Sequence, residues 1–296
     1  MLSYRHGFHA GNQADVLKHG VLIFCLDYLA QKPKPFLYVD THAGAGFYRL
    51  DLGFGALNRE WARGIGTLLP AAAENPRRPQ EDCGGRMIPR YLEIAGKFFQ
   101  SPAGPGYPGS PLAAAELLRP QDRACCFELH PADFAALRGC LGTDRRFRLR
   151  KEDGLEGLKS LLPPESRRAL ILVDPAYELK EDYQRIISVL QDGLRRFSQG
   201  LYLIWYPLLP KKGTPEYGER LMDLYRGRRC RAELRFAPLR AGAGKGRGPR
   251  MYGCGLVLYN PPWTLRPELE GSLPVLAEKL GNGGGGWELD WEEPAA

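Results

Sequence analysis

The sequence contains no long apolar run: none approaches the length of about 18 residues that a membrane-spanning helix requires. The amino terminus, with Tyr4, Arg5 and His6, lacks the basic and then apolar order of a secretory signal. The 7 cysteines are odd in number, and none stands at the paired spacing of a zinc site. These absences predict a cytoplasmic protein with reduced thiols, no resident metal and no membrane partner.

Several classes of nucleotide-handling enzyme are not expected either. The sequence has no complete G-x-G-x-x-G, which a nicotinamide dinucleotide site needs, and no phosphate loop of the glycine-lysine-serine/threonine type. No cluster of histidine and cysteine has the spacing of a deaminase zinc site. Hydride transfer, nucleotide hydrolysis and zinc-dependent deamination are therefore disfavoured.

What the chain does have is a surplus of positive charge, with 41 lysines and arginines against 34 aspartates and glutamates. The basic residues form three clusters, at Arg145–Lys151, Arg226–Arg235 and Lys245–Arg250. One such cluster is often only solvated surface. Three clusters in one half of the chain favour a face that binds a polyanion such as nucleic acid.

Apolar periodicity predicts an α/β fold, beginning with an amphipathic helix over Asp15–Ala30. Buried strands are predicted at Phe36–Val39, Ala124–Phe127, Phe147–Leu149, Ala169–Val173 and Leu201–Trp205, with helices at Pro131–Cys140, Gly154–Leu162 and Asp182–Phe197. This alternation implies a mainly parallel, doubly wound sheet covered on both faces. Arg231–Phe236 and Gly255–Tyr259 predict a final antiparallel hairpin around the glycine-rich loop Gly242–Gly248. The tail Gly283–Ala296 is expected to be loosely held.

Residues 48–106 interrupt the alternation. Helical patterns over Leu57–Leu69 and Ile88–Phe99 flank a stretch rich in proline and arginine. We interpret 48–106 as a small inserted helical subdomain, and 1–47 together with 107–296 as the main domain.

Polar residues follow each predicted parallel strand at the point where it ends. The first strand leads into the glycine-rich turn Asp40–Gly46, the second into Glu128, the third into Asp153 and Gly154, and the fourth into Asp174. Ligands of doubly wound sheets bind at these carboxyl ends. A glycine-rich turn admits close backbone approach, a carboxylate after the second strand suits ribose hydroxyls, and one after the third suits an adenine amino group. This order predicts a site for S-adenosylmethionine.

The stretch Asp174-Pro175-Ala176-Tyr177 differs by one residue from Asp-Pro-Pro-Tyr, the signature of enzymes that methylate an exocyclic amino group of a nucleobase. Asp174 and the Pro175 carbonyl would accept the two N6 hydrogens of an adenine, and Tyr177 would stack on the extruded base. Ala176 keeps the chain and its carbonyl but frees one φ angle, which predicts a looser loop that still works.

A second tetrapeptide, Asn260-Pro261-Pro262-Trp263, matches that signature more fully. It ends the last predicted strand, which runs antiparallel to the others. Its end is therefore expected at the rim of the sheet opposite Asp174. We interpret it as a rigid structural turn with a packed tryptophan.

The amino terminus reads MLSYRHGFHAGNQADVLKH, an arm rich in ring and cationic groups. With this block, the turn Asp40–Gly46, the run Tyr107–Pro111 and Asn260–Trp263, nearly the whole chain resembles the RlmJ family of bacterial 23S ribosomal RNA adenine-N6 methyltransferases. The resemblance implies a Rossmann-like class I methyltransferase that uses S-adenosyl-L-methionine and acts on 23S ribosomal RNA. No feature predicts an obligate dimer, so a monomer is expected.

The resemblance also implies roles for individual residues. Contacts with S-adenosylmethionine are implied for His19, His42, Ser110, Glu128, Asp153 and Gly154. Asp174 would be the catalytic acceptor, and Tyr4, in the arm 1–19, would touch the substrate RNA. Lys18, next to His19, would attract the carboxylate of the cofactor. The family has a second proline where this chain has Ala176, and residues 48–106 match it poorly.

Two other functions fit the same residues. A DNA adenine-N6 methyltransferase would use the same catalytic tetrapeptide, since the 2′-hydroxyl that distinguishes RNA from DNA is reported by no single residue here. A non-catalytic nucleic-acid-binding protein, linked to the use of external DNA, would fit Ala176 and the basic clusters. Glu128 and Asp153 argue against that last function, because a binder without cofactor has no use for them.

Overall fold

Ten strands and ten α-helices occur in the residues that the computed structural model describes, namely 4–69, 85–102, 104–210, 216–236 and 251–294. The strands are β1 (Leu37–Asp40), β2 (Phe47–Arg49), β3 (Gly106–Pro108), β4 (Arg123–Phe127), β5 (Phe147–Arg150), β6 (Ala169–Val173), β7 (Leu201–Leu208), β8 (Arg229–Arg235), β9 (Gly253–Tyr259) and β10 (Gly286–Glu292). The helices are α1 (Gln13–Ala30), α2 (Gly53–Asn58), α3 (Ile65–Leu68), α4 (Met87–Phe99), α5 (Ser110–Ala115), α6 (Pro131–Leu141), α7 (Gly154–Leu158), α8 (Lys180–Arg196), α9 (Tyr217–Met222) and α10 (Leu265–Leu280). The predicted loop Gly242–Gly248, the cluster Lys245–Arg250 and much of the proline- and arginine-rich stretch lie outside the described residues.

Eight strands form one sheet in the order β10-β8-β9-β7-β6-β1-β4-β5. Strands β5, β4, β1, β6 and β7 run parallel, whereas β9 runs antiparallel to both β7 and β8. The predicted α/β class, the mainly parallel sheet and the final antiparallel hairpin are thus confirmed. The strand order reverses between β1 and β6, and ligand crevices of such sheets open beside that point at the carboxyl ends of the strands.

Helix α1 begins at Gln13, because the side chain of Asn12 caps it by accepting hydrogen bonds from the backbone N–H groups of Ala14 and Asp15. The helix is present as predicted, but it is not amphipathic. It is buried on almost every side, since it contacts α4, α5, α10 and the sheet. Its burial includes the polar residues Asp15, Lys18 and His19. No described helix is long and apolar enough to cross a bilayer.

The segment predicted as an insertion does hold helices, namely α2, α3 and α4. It is framed by β2 and β3, which pair antiparallel with Tyr48 opposite Tyr107. Helix α4 packs against α1, so the inserted segment is attached to the main domain through contacts with this buried helix. The division of the chain into two domains stays a prediction.

The prediction of a loosely held tail was wrong, because residues 286–292 form β10 at the edge of the sheet, antiparallel to β8. Three arginines of β8 hold it. Arg231 donates to Asp290 and to Glu288, at 2.7 Å each, and Arg229 and Arg235 are paired with Glu292 and Glu288. Opposite charges facing each other across two strands stabilise their pairing.

The same ion pairs correct the interpretation of the basic cluster Arg226–Arg235 as part of a polyanion-binding face. Arg229 and Arg231 are buried and neutralised by carboxylates of β10. In the cluster Arg145–Lys151, Arg146 likewise pairs with Asp144 at 2.6 Å. A run of arginines in the sequence therefore overstated the positive charge that this surface offers.

Replacement of the α1 cap tests how firmly that helix start is held. Asn12→Ala removes the acceptor for two backbone N–H groups and should lower the free energy of unfolding by about 1–2 kcal/mol. Thr264→Ala, at the N-cap of α10 where the side chain makes no capping bond, should change it by less than about 0.5 kcal/mol. Urea unfolding followed by circular dichroism measures both, and equal losses would contradict the assignment.

Candidate active site

A cavity opens at the carboxyl ends of the parallel strands and encloses about 900 Å³, counting its open mouth. It brings together predicted site residues from distant parts of the chain: Tyr4, Lys18, His19, His42, Ser110, Glu128, Asp153, Gly154 and Asp174. Pro175 and Tyr177, which were also predicted, do not line it. Most of the residues predicted from the ends of the strands thus lie on the wall of one cavity.

Asp174 directly follows β6, and the Nζ of Lys18 from α1 lies 2.5 Å from its Oδ2. The same ammonium lies 2.8 Å from Oδ1 of Asp15. Asp15 is bonded in turn by the Nε2 of His6, at 3.0 Å, and by the N–H of Gly11. Lys18 is therefore held between two protein carboxylates. Its role as a partner of the cofactor carboxylate stays a prediction.

Burial and the neighbouring charges shift the pKa values of Lys18 and Asp174 in opposite directions. Burial lowers the pKa of Lys18, but Asp15 and Asp174 outweigh it, so the pKa lies above its ordinary value and the side chain stays an ammonium. Burial raises the pKa of Asp174, and Lys18 limits that rise. Sequence reasoning missed Asp15 and His6 as parts of the site. The three-residue spacing of Asp15 and Lys18 on one helix was the available signal.

The glycine-rich turn after β1 is organised by Asp40, a fully buried carboxyl group that sequence reasoning also left without a role. Asp40 accepts hydrogen bonds from the hydroxyls of Tyr38 and Ser110, each at 2.7 Å, and from the N–H of His42. Ser110 thus reaches the cavity wall while its hydroxyl is engaged with Asp40. Gly44 has a φ of +63°, and a Cβ there would lie 2.2 Å from the Tyr48 hydroxyl oxygen, so only glycine fits.

Glu128 follows β4 and fastens that turn from the other side. Its Oε2 accepts from the N–H of Gly44 at 2.8 Å, and its Oε1 accepts from the N–H of His130 at 2.6 Å. An ionised carboxylate has about four acceptor positions, so two remain for a ligand. Two free positions on a partly buried carboxylate suit a pair of neighbouring hydroxyl groups.

Asp153 follows β5 and caps α7, with its Oδ1 accepting from the N–H groups of Leu155 and Glu156 at 3.0 and 3.2 Å. Gly154 is the first residue of α7 and lies against Thr41, the residue that follows β1. A Cβ on Gly154 would lie 2.0 Å from the carbonyl oxygen of Thr41. The absence of a side chain at Gly154 is therefore what lets the start of α7 pack against the turn after β1 at the cavity.

Both predicted histidines are neutral at physiological pH. Burial lowers the pKa of His19 to about 3 and that of His42 to about 4. The Nδ1 of His19 is bonded to the Tyr107 hydroxyl at 2.8 Å, and the Nδ1 of His42 to Oγ1 of Thr41 at 2.8 Å. Each ring is thereby fixed in orientation at the cavity wall.

Tyr4 stands at the mouth of the cavity with 37% of its surface exposed. Its ring stacks on His9 at a centroid distance of 5.5 Å, and its hydroxyl is bonded to His6. Tyr4 thus presents an accessible aromatic face, and it is linked through His6 to Asp15.

The side chain of Tyr177 does not take the place predicted for it. It packs among Tyr183, Trp205 and Tyr217, and its hydroxyl donates to the Trp205 carbonyl at 2.7 Å. Pro175 is also buried, and Ala176 contributes to the cavity wall instead. In this conformation Tyr177 anchors the loop after Asp174 to the protein core, and its buried ring offers no face for a base to stack on.

The rival tetrapeptide lies at the opposite rim, as strand direction predicted. Asn260 follows β9, and its Nδ2 donates to the carbonyls of Ser198 and Gly200, both at 2.7 Å, beside the start of β7. Its Oδ1 accepts from the Tyr225 hydroxyl at 2.7 Å. This is a structural turn. Trp263, however, is 65% exposed, so the prediction of a packed tryptophan was wrong.

No group of three or more histidine, cysteine, aspartate or glutamate side chains in the described ranges is arranged to hold a metal ion. The parts that are arranged are a glycine-rich turn, a carboxylate after β4, a carboxylate after β5 and Asp174 after β6. With the sheet order, they define a Rossmann-like methyltransferase fold.

The particular family follows from comparison with known proteins. Residues 33–293 match the family model described as ribosomal RNA large subunit methyltransferase D, RlmJ, and the chain belongs to this family. A Haemophilus influenzae protein named ribosomal RNA large subunit methyltransferase J is 39% identical over 99% of this chain and all of its own length. The Escherichia coli K12 protein of the same name is 41% identical over 95% of this chain and 94% of its own.

A solved structure supports the same fold. The crystal structure of a Legionella pneumophila protein, 32% identical in sequence, superimposes with a TM-score of 0.81 and covers 96% of this chain and 98% of its own. The resemblance found in the sequence is thus confirmed for the family and for the architecture.

The close approach at Gly154 gives a stability prediction with an internal control. Gly154→Ala forces a methyl group against the Thr41 carbonyl and should cost about 2 kcal/mol or more of unfolding free energy. Gly139→Ala lies in α6 with no heavy atom within 4 Å of the added Cβ, so it should be neutral or stabilise by about 0.5–1 kcal/mol. Urea titration of both variants decides, and a neutral Gly154→Ala would refute the constraint.

Buried neutral His19 makes stability depend on pH. Below pH 6.5 the unfolded imidazole takes up a proton, whereas the folded one stays neutral until about pH 3, so stability falls as pH drops through this window. Between pH 6 and pH 4 the wild type should lose up to about 1.4 kcal/mol more per pH unit than His19→Gln. Urea unfolding at pH 7, 6, 5 and 4 measures the difference, and a gap independent of pH would count against a neutral buried ring.

Proposed function

We propose that this protein transfers a methyl group from S-adenosyl-L-methionine to N6 of a single adenine in 23S ribosomal RNA. The observation that carries the proposal is Asp174, held at the cavity by Lys18 at 2.5 Å with its other carboxylate oxygen unengaged by Lys18. The names of the Haemophilus influenzae and Escherichia coli relatives support ribosomal RNA of the large subunit as the substrate class.

The cavity wall fits S-adenosylmethionine. Glu128, with two acceptor positions left, would take the ribose hydroxyls, and Asp153 would take the adenine amino group. The turn at Gly44 and the neutral ring of His42 would pack against the nucleoside without an opposing charge. When bound, the cofactor supplies a methyl group on a positively charged sulfur.

Asp174 would accept one hydrogen of the adenine N6 group. The carbonyl of Pro175, which is buried between the cavity-lining residues Asp174 and Ala176, would accept the other when the substrate is bound. Because Lys18 occupies Oδ2, the Oδ1 of Asp174 is the oxygen that meets the substrate. Accepting these hydrogens draws the nitrogen toward tetrahedral geometry and frees its lone pair for the methyl group. The proton that N6 loses passes to Asp174, whose pKa burial has raised.

The aromatic contact with the target base is assigned to Tyr4 rather than Tyr177. Tyr4 is exposed at the cavity mouth, whereas the ring of Tyr177 is enclosed by three other aromatic rings. Stacking on one aromatic ring contributes about 1–3 kcal/mol per base, which offsets part of the cost of extruding it. Tyr177 would instead hold Ala176 and the loop in place. Its packing would supply the rigidity that a second proline at position 176 would otherwise give.

The convergence on one cavity argues against a binder without catalytic activity. Glu128, Asp153 and Asp174 come from three different strand ends and gain nothing from proximity unless they share a ligand. A DNA adenine methyltransferase would use the same arrangement. Only the preferred substrate, DNA or ribosomal RNA, distinguishes that enzyme from the one proposed.

The test is methyl transfer from radiolabelled S-adenosylmethionine to deproteinised 23S ribosomal RNA and, in parallel, to duplex DNA. We expect transfer to the RNA alone, at one adenine. Asp174→Asn should lower kcat/KM about a thousandfold, because it removes the charged acceptor. Asn260→Ala, in the matching tetrapeptide at the opposite rim, should stay within about twofold per mole of folded protein.

Three results would contradict the proposal. Full activity of Asp174→Asn with loss in Asn260→Ala would reverse the assignment of the two motifs. Transfer to DNA in preference to RNA would make the DNA methyltransferase the correct function. Binding of RNA with no transfer and no S-adenosylmethionine binding by calorimetry would favour the non-catalytic protein.

A further inference from the structure

Asp153 has a charged partner that no sequence motif indicates. Arg185, on α8, places its Nη2 at 2.9 Å from Oδ2 of Asp153 and at 3.3 Å from Oε1 of Glu156. The Oδ1 of Asp153 is already engaged by the N–H groups of Leu155 and Glu156 at the start of α7. One carboxylate at the cavity wall thus ties α7 and α8 together.

The Asp153 carboxylate has few hydrogen-bond acceptor positions left for a ligand. An ionised carboxylate offers about four, and three are taken by Leu155, Glu156 and Arg185. The remaining position is on Oδ2, the oxygen that Arg185 holds. A single free acceptor of fixed direction matches one N–H donor, as on the exocyclic amino group of an adenine.

We infer that Arg185 is a positioning residue for the cofactor: it fixes the Asp153 carboxylate so that the free position on Oδ2 receives the 6-amino group of the cofactor adenine. The inference rests on the proposed function, since it requires S-adenosylmethionine in this cavity. It adds a specificity determinant from a helix that carries no other predicted site residue.

The charges around Asp153 agree with this role. Burial would raise the pKa of Asp153, but Arg185 and the two backbone N–H groups of α7 bring it below its ordinary value. His42 lies close enough to both for Asp153 to raise its pKa and Arg185 to lower it, and burial leaves it neutral. At neutral pH, therefore, the adenine end of the cavity presents an acceptor in its charged form beside an uncharged ring.

The position of α8 makes Arg185 more than a surface charge. The helix follows the loop of Asp174 directly, and its Tyr183 packs on Tyr177 with ring centroids 4.7 Å apart. Arg185 is half-exposed, with 39% of its side chain accessible, so its removal should not unfold the protein. Loss of Arg185 is expected to act on ligand discrimination and to leave the fold intact.

The test compares two ligands by calorimetry: S-adenosylhomocysteine and its purine analogue, in which hydrogen replaces the 6-amino group. The wild type should prefer the amino compound by about tenfold, because the analogue leaves the carboxylate position unpaired. Arg185→Met should reduce this preference to below threefold while the Kd for the analogue changes less than twofold. Arg185→Lys, which keeps the charge but not the planar fork, should retain an intermediate preference.

Arg195→Met is the matched control. Arg195 lies on the same helix and pairs with a carboxylate, Asp192, at 3.0 Å, but Asp192 does not line the cavity, whereas Asp153 does. This variant should bind both ligands as the wild type does. Its thermal unfolding midpoint and that of Arg185→Met should agree within a few degrees, which separates a local effect from loss of structure.

Three results would overturn the inference. A full amino preference in Arg185→Met would show that Asp153 needs no help from Arg185. An equal loss of affinity for both ligands would mark Arg185 as structural. Failure of the wild type to bind S-adenosylhomocysteine would overturn the proposed function and this inference with it, whereas either of the first two results leaves the proposed function standing.

Discussion

The buried ammonium of Lys18 between Asp15 and Asp174 is the constraint on which the rest of the site depends. Charges removed from water are costly unless they are paired with good geometry. The three groups come from the first turns of α1 and the end of β6, so the helix and the sheet must keep a fixed register. The cap at Asn12 and the contacts of α1 with α4, α5 and α10 supply that register.

Much of the fold was accessible from the sequence because the relevant signals are local. Short apolar runs flanked by polar residues or proline marked β1, β4, β5 and β6 closely, and chain direction alone placed Asp174 and Asn260 on opposite rims. The carboxyl ends of parallel strands meet at one edge, so Glu128, Asp153 and Asp174 could be brought together without any knowledge of packing.

Several of the errors concern contacts between residues far apart in the chain. The tail strand β10 was missed because the partners of Arg229 and Arg231 stand 57 to 63 residues further along. The ion pair of Lys18 with Asp174 was missed because the two residues lie 156 positions apart in the chain. Tyr177 carried a motif role, and only the packing of α8, α9 and β7 around it reveals that its ring is enclosed. No local pattern contains such pairings.

The strand β10 has a consequence for how the molecule is made. β10 is synthesised after β8, yet it carries the counter-charges for arginines that the sheet buries. Until β10 leaves the exit tunnel of the ribosome, β8 is an open sheet edge whose arginines have no acids from β10. This edge of the sheet therefore closes only once β10 has emerged, and a nascent chain stalled before that point exposes the edge to unwanted strand pairing.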